Sequence, residues 1–528
     1  MSLNASIGHW DITAHANAES LKHIANMVDI SSDQNLPELA KQALQLCDEL
    51  QGCCLSYTEQ VELFYFRANA WSAIRHANHS AGENVWAWDQ TELMYEVYWL
   101  RSAIRHDGFA RIEAFRQCQI LTNAGNLLNH IGRSIEAIEY WQRALRVIQN
   151  FAMARGNLGF GLESYARLLY DRSHAVVIMK AAHDQLLSVA AGEVVWDSHD
   201  YQCIRNRMLS EAKDIAGHVD IQAAQLIELD GFALGRSKVE RAYRRWALDN
   251  DLFLSPLNEL GSYSIAAHDV LLLPDMVSPI GKPPSLIGFF NQMKQEYVSA
   301  RFLYWQGQSA EKTHYSDRDV SLVNTLDYPL YSVHIEQIKI AFRMAYSLFD
   351  KIAFFINEYW TLGIPERSIN FQSVWYLKDK KGKRLQPCFI AHENLPLRGL
   401  FWISKDFMKQ NDSEIDGSES ADLSETMEPD ADALRAIRNH LEHKYLKVHD
   451  SFWAIDGGHE KADSLFKDTL AYSLTIESLE AKTLRLLKLA RAGLIYLSLA
   501  VHREERLRAK NQQDGLVMPM HLPEWKPM

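Results

Sequence analysis

The chain has 528 residues, 47% of them hydrophobic and 23% charged, with a formal net charge of -12. That length exceeds one ordinary domain and buries a large core without help from disulfides or metals. The acidic balance excludes a protein that coats DNA through many Lys and Arg, but leaves room for a local basic site.

Cys47, Cys53, Cys54, Cys118, Cys203 and Cys388 form no Cys-x-x-Cys pair. Neither a zinc site nor a disulfide framework is expected, and no metal or cofactor is called for. The N-terminus lacks the basic-then-apolar order of a signal peptide. The most apolar helical stretch, Ala492–Val501, is about half the length that spans a bilayer. These features predict a cytoplasmic protein without membrane association.

In the N-terminal half a repeat is legible. Asn123 matches Asn157, Gly125 matches Gly159 and Leu128 matches Leu162, each pair 34 residues apart, the tetratricopeptide (TPR) period. Between them, Gly132–Val147 resembles the end of a TPR helix A and its helix B, with Gly132 at the turn. Pro37–Leu50 and Leu63–His76 read as flanking helices. Residues 1–188 are therefore expected to form a TPR-like helical solenoid, a shape that binds protein segments in its groove. The competing reading is a helical domain whose repeat reflects packing alone.

Residues 189–286 read as a connector. Tyr243–Tyr263 mixes aromatics, Pro and Asn as a fixed irregular segment does, and Leu271–Leu286 is rich in Pro and Gly. Residues 287–528 read as a helical bundle, making the fold mainly α. Its best helix is Tyr331–Trp360, where Ile335, Ile338, Phe342, Ala345, Phe349, Ile352 and Ile356 follow a 3,4 spacing. Glu336, Arg343, Asp350 and Asn357 recur every seven residues, so they share one face. That face is either a solvated stripe or a polar wall. Ser373–Ile390 reads as a small β-hairpin turning at Lys381-Gly382. Asn411–Asp432 carries nine acidic residues and no Lys or Arg, the composition of a mobile loop. Pro429 and Asp430 signal a helix start, with Asp432 in the first turn. The helix is expected to run through Ala433–Asp450, with Lys444 and Lys447 on a solvated or RNA-contacting edge. A last helix is expected over Ala462–Lys510.

An Arg, four residues and a His occurs three times: Arg101–His106, Arg435–His440 and Arg438–His443. The first lies in the solenoid half and is assigned to chance. The last carries Asn439 directly after its Arg. With the long helix before it, "RNHLEH" resembles the motif of the HEPN superfamily, helical bundles of which many are ribonucleases. Asn324–Trp360 resembles the first long helices of a bacterial HEPN branch preceded by TPR repeats, and Tyr243–Leu260 resembles its joining region.

The resemblance implies an endoribonuclease that cuts RNA without a metal, with Arg438, Asn439 and His443 catalytic. Imidazole moves protons near neutrality, and guanidinium clamps phosphate. Asp350, His440 and Arg435 are candidate supporting residues. Arg438 and His443 stand about 140° apart around one helix, and the resemblance implies a homodimer that sets two motif helices across a shared cleft. It also implies a toxin or antiviral defence factor, with a protein partner or trigger on the TPR-like half. The acidic loop is expected to cover the cationic cleft and keep it silent. The alternative is a non-catalytic scaffold or antitoxin-like regulator.

Overall fold

The computed structural model describes residues 10–12, 15–79, 87–190, 194–197, 201–278, 281–309, 313–379, 382–391, 393–408, 428–450, 470–511 and 520–523. The N-terminal helices pack in successive pairs. These are α1 (Asn17–Gln34) on α2 (Pro37–Gln51), α3 (Tyr57–His79) on α4 (Thr91–Arg105), α5 (Ala114–His130) on α6 (Ser134–Val147), and α7 (Ala152–Leu168) on α8 (Arg172–Leu187). The 34-residue spacing has a packing cause. A β-carbon on Gly125 would stand 2.5 Å from the Trp141 indole of α6, and one on Gly159 would stand 2.5 Å from Leu186 of α8. Each glycine admits a large residue from its partner helix.

Helices α9 (Gln202–His218), α10 (Ile221–Gln225) and α11 (Lys238–Asp249) follow. The irregular chain after α11 is pinned to the C-terminal helices. Leu252, Leu254 and Leu257 are buried, and Arg301 of α12 (Ser285–Gln308) donates to the Leu252 carbonyl and to Asp269, each at 2.8 Å.

Helix α12 lies along α13 (Val333–Tyr359), which starts at a Ser332 side-chain cap. All seven apolar seam positions of α13 are buried. Strands β1 (Tyr376–Asp379) and β2 (Gly382–Leu385) pair antiparallel. The hairpin is present, but Gly382 pairs with Asp379, so it belongs to the second strand rather than to the turn. Helices α14 (Pro387–Ile390), α15 (Leu395–Ser404) and α16 (Ala431–His443) come next. Strand β3 (Tyr445–His449) then pairs in parallel with β4 (Ala471–Thr475), which runs into α17 (Ile476–Asn511). The chain is mainly α, with two small strand pairs among the described residues.

Three expectations need correction. The motif helix ends at His443, and Tyr445–His449 is a strand, because Leu446 and Val448 bury and the segment pairs with a parallel partner. Lys447 is accordingly no solvated edge: it is buried and ion-paired with Asp327 at 2.5 Å. The last helix starts at Ile476, not near Ala462; residues 462–469 lie outside the described residues. Residues 411–427 of the acidic segment also lie outside them. Glu428, within the expected loop, is fully buried.

The two halves meet backbone to backbone. Gly132, at φ +89° in the turn between α5 and α6, would place a β-carbon 2.2 Å from the Leu395 carbonyl oxygen. Gly399 of α15 would place one 2.4 Å from the Gly132 carbonyl oxygen. The Ile135 N–H of α6 donates to the Tyr496 hydroxyl of α17 at 2.9 Å. No helix among the described residues is long and apolar enough to cross a membrane.

Candidate active site

The residues of α16 sort themselves by period. Leu434, Ile437 and Leu441 are buried. Their 3,4 spacing turns Arg435, Arg438, Asn439 and Glu442 outward. Asp432 adds negative charge to the first turn, where it favours the helix. Asp430 does not cap the helix with its side chain; it reaches Arg105 at 3.2 Å and Lys482 at 3.4 Å.

Arg438 donates to the Asn439 side-chain oxygen at 3.3 Å, and its guanidinium stands 5.7 Å from the Tyr346 ring centre of α13. Among the described residues no carboxylate forms an ion pair with Arg438. Arg435 pairs with Asp432, one turn back on its own helix, at 3.6 Å. His443 is exposed on the last turn and makes no hydrogen bond among the described residues. His440 behaves differently. Its Nδ1 lies 2.7 Å from the Ala436 carbonyl, and its ring centre lies 5.5 Å from that of Tyr472 in β4. Its imidazole is engaged by its own helix and the strand.

Helix α13 forms the facing wall. Arg343 pairs with Glu442 at 3.7 Å. Asp350 accepts from the Phe371 N–H at 3.4 Å. Burial lifts its carboxyl above the ordinary range, against the pull of that N–H and of Arg438. Asp350 thus feels Arg438 without an ion pair to it. Between them on the same face stands Tyr346, which sequence reasoning missed. Its place at i+3 from Arg343 and i−4 from Asp350 was the available signal. The other members of the seven-residue stripe do different work: Glu336 pairs with Lys339 at 2.8 Å, and Asn357 bonds the Ile364 backbone. Arg438 bonds Asn439, and Arg438, Asp350 and Arg435 lie around Tyr346; His443 stands apart from Arg438 around the helix, and His440 turns to β4.

The Arg101–His106 match lies elsewhere. Arg101 is buried and pairs with Asp406 at 2.7 Å, Glu428 at 3.4 Å and Glu136 at 3.6 Å. Arg133 binds the same Asp406 at 2.7 Å, and Arg105 and Arg485 both close on Glu428. This cluster ties α4 and the start of α6 to α17 and to the chain just after α15 and just before α16. His106 bonds Gln60 at 2.9 Å.

Residues 277–504 match the model of the LA2681-like HEPN family. The C-terminal region is a HEPN domain. The match spans α12 through most of α17 and includes the whole Arg438–His443 motif. No curated protein and no solved structure gives a match to the chain. Among the described residues of the HEPN domain and the rest of the chain, no group of three or more His, Cys, Asp or Glu is arranged to hold a metal ion.

Proposed function

We propose that the chain is an endoribonuclease effector that cuts RNA without a metal, using Arg438, Asn439 and His443. Residues 1–188 would be its TPR-like regulatory part, 189–286 its connector and 287–528 its catalytic bundle. The observation that carries this reading is the open guanidinium of Arg438. It has no carboxylate partner among the described residues, it is hydrogen-bonded to Asn439, and it lies on the helix that presents His443 to solvent. A cation left without a counter-charge on a half-open face is suited to a phosphate.

The reaction balances within the substrate. A ribose 2′-oxygen bonds to the adjacent phosphorus, and the bond from phosphorus to the 5′-oxygen breaks. An imidazole accepts the 2′-hydroxyl proton, and a protonated imidazole delivers one to the leaving oxygen. Arg438 stabilises the charge that builds on the phosphoryl oxygens. The products are a 2′,3′-cyclic phosphate and a 5′-hydroxyl. DNA, lacking the nucleophile, survives. Arg438 and His443 lie about 140° apart on one helix, so two motif helices in a homodimer complete each other's cleft. A toxin or antiviral role in the cytoplasm, triggered through the TPR-like half, fits a cutter that must stay silent.

One observation favours a second reading, a binding scaffold. No described residue orients the His443 ring, whereas general bases are commonly held by a second group. The same experiment separates the two. Purified wild type, Arg438→Ala and His443→Ala are incubated with total RNA in EDTA, and product ends are mapped. Cyclic phosphate from the wild type alone supports the nuclease. A folded, dimeric wild type that binds RNA without cutting supports the scaffold.

A further inference from the structure

The α13 wall offers one polar group that none of the roles above uses. Tyr346 projects between Arg343 and Asp350 toward α16. Its ring is fixed by packing: the Phe407 ring meets it edge-on at 5.3 Å, and Phe342 lies 6.4 Å away one turn back. The Arg438 guanidinium stands 5.7 Å from its ring centre. The residue is half-buried, and its hydroxyl makes no hydrogen bond among the described residues. A half-buried tyrosine usually finds a partner for its O–H. Here the charged groups it feels are Arg438, Asp350 and Arg435. Burial raises the phenol further above neutrality, against the pull of Arg438, so the hydroxyl keeps its proton and remains a donor.

We propose that Tyr346 is a further substrate-binding residue of this site: its hydroxyl donates a hydrogen bond to a non-bridging oxygen of the phosphodiester that Arg438 holds. The ligand class is a single-stranded ribonucleotide chain. This rests on the nuclease reading for its substrate, but the donor pair is a property of the α13–α16 face. The ring has a second effect, keeping the Arg438 side chain over an aromatic surface rather than free in water. Tyr346→Phe keeps the ring and its packing and removes only the donor. That separates the two effects.

The test uses the full chain as wild type, Tyr346→Phe, Arg438→Ala and the double variant. Two probes are used: a fluorescent single-stranded oligoribonucleotide for cleavage, and its fully 2′-deoxy counterpart, which cannot be cut by 2′-attack, for binding. Melting curves monitor folding. Tyr346→Phe is expected to melt with the wild type and to slow cleavage by about tenfold to a hundredfold, below the 10²–10³ loss typical of a fully enclosed oxyanion donor. The double variant is expected to lose less than the product of the single losses, since both groups hold one phosphate. If Tyr346→Phe cleaves and binds within twofold of wild type while Arg438→Ala is inactive, the proposal fails and the nuclease reading stands. If nothing cleaves but wild type binds the deoxy probe and Tyr346→Phe binds it at least fivefold more weakly, the Tyr346 contact stands and the nuclease reading fails. If wild type neither binds nor cleaves, both fail. If Tyr346→Phe does not fold, binding of the deoxy probe by Tyr346→Leu within twofold of wild type overturns the proposal.

Discussion

Of the three arginines that stand five residues before a histidine, Arg101 and Arg438 meet opposite fates. Arg101 is 2% exposed and shares three carboxylates with Arg105, Arg133 and Arg485. Arg438 is half-exposed, and its only described hydrogen-bond partner is the amide of Asn439. The difference lies in the counter-charge rather than in the spacing. A guanidinium taken out of water demands carboxylates in contact, because the desolvation cost is otherwise too large. Once those are present, the group holds structure and has little left to offer a ligand. A guanidinium on an open face retains its donors for an incoming anion.

That contrast can be broken in four ways, taken from the largest effect down. His443→Ala is expected to reduce RNA cleavage by about 10²- to 10⁴-fold, the usual worth of a general acid or base. Its melting temperature should stay within about 2 °C of wild type, as for exposed sites. His106→Ala should leave cleavage at the wild-type rate; equal losses from both histidines would erase the distinction. Next comes Asp406→Ala, which takes from Arg101 and Arg133 the buried carboxylate they share and leaves them Glu136 and Glu428. Breaking a buried pair this way costs about 3–5 kcal/mol, read as a fall in the denaturation midpoint.

Acid is the third lever, and it acts on the structural side. Burial, then Arg398, Arg75 and His76, push the His130 imidazole down to about 4. The unfolded chain takes up that proton below about 6.5 while the folded chain does not. Stability should therefore fall as pH drops from about 6.5 toward 4, by about 3 kcal/mol in all. Urea midpoints across that range measure it, and His130→Gln should flatten the slope. The Arg101–Asp406 contact resists further. Burial opposes ionisation of Asp406, but Arg101 and Arg133 outweigh it and hold the carboxyl below the ordinary range. Its contribution is present above the unfolded carboxylate value and lost only as pH falls below about 3.9. The smallest effect is that of Arg343→Ala. Its pair with Glu442 is exposed on both sides, so less than about 1 kcal/mol of stability is at stake.

Legibility followed the range of the interactions. The α13 seam was readable because seven apolar positions repeat within one helix, and all seven are buried. Gly125 and Gly159 were readable as a pair through their spacing, although their reason, the bulk of Trp141 and Leu186, is tertiary. The strand pair β3–β4 was hidden because Lys444–Asp450 continues the polar rhythm of α16, and its parallel partner lies beyond residue 469. Glu428 was read as one acid in a solvated run because Arg101 and Arg105 approach it from more than 320 residues away. In the site, the Arg438, Asn439 and His443 types were visible in the motif itself. Tyr346 was not, since an aromatic residue in a bundle helix looks like core until its hydroxyl is seen to have no hydrogen-bond partner among the described residues.

The buried arginines also define a closed circuit of chain. Asp406 and Glu428 bracket residues 409–427, and both contact Arg101 and Arg485. Both ends of that stretch are tied to the same two side chains. A single cut within it should leave both ends tied and the two fragments migrating as one particle. Such a cut would part the polypeptide without parting the contacts that hold Asp406 and Glu428.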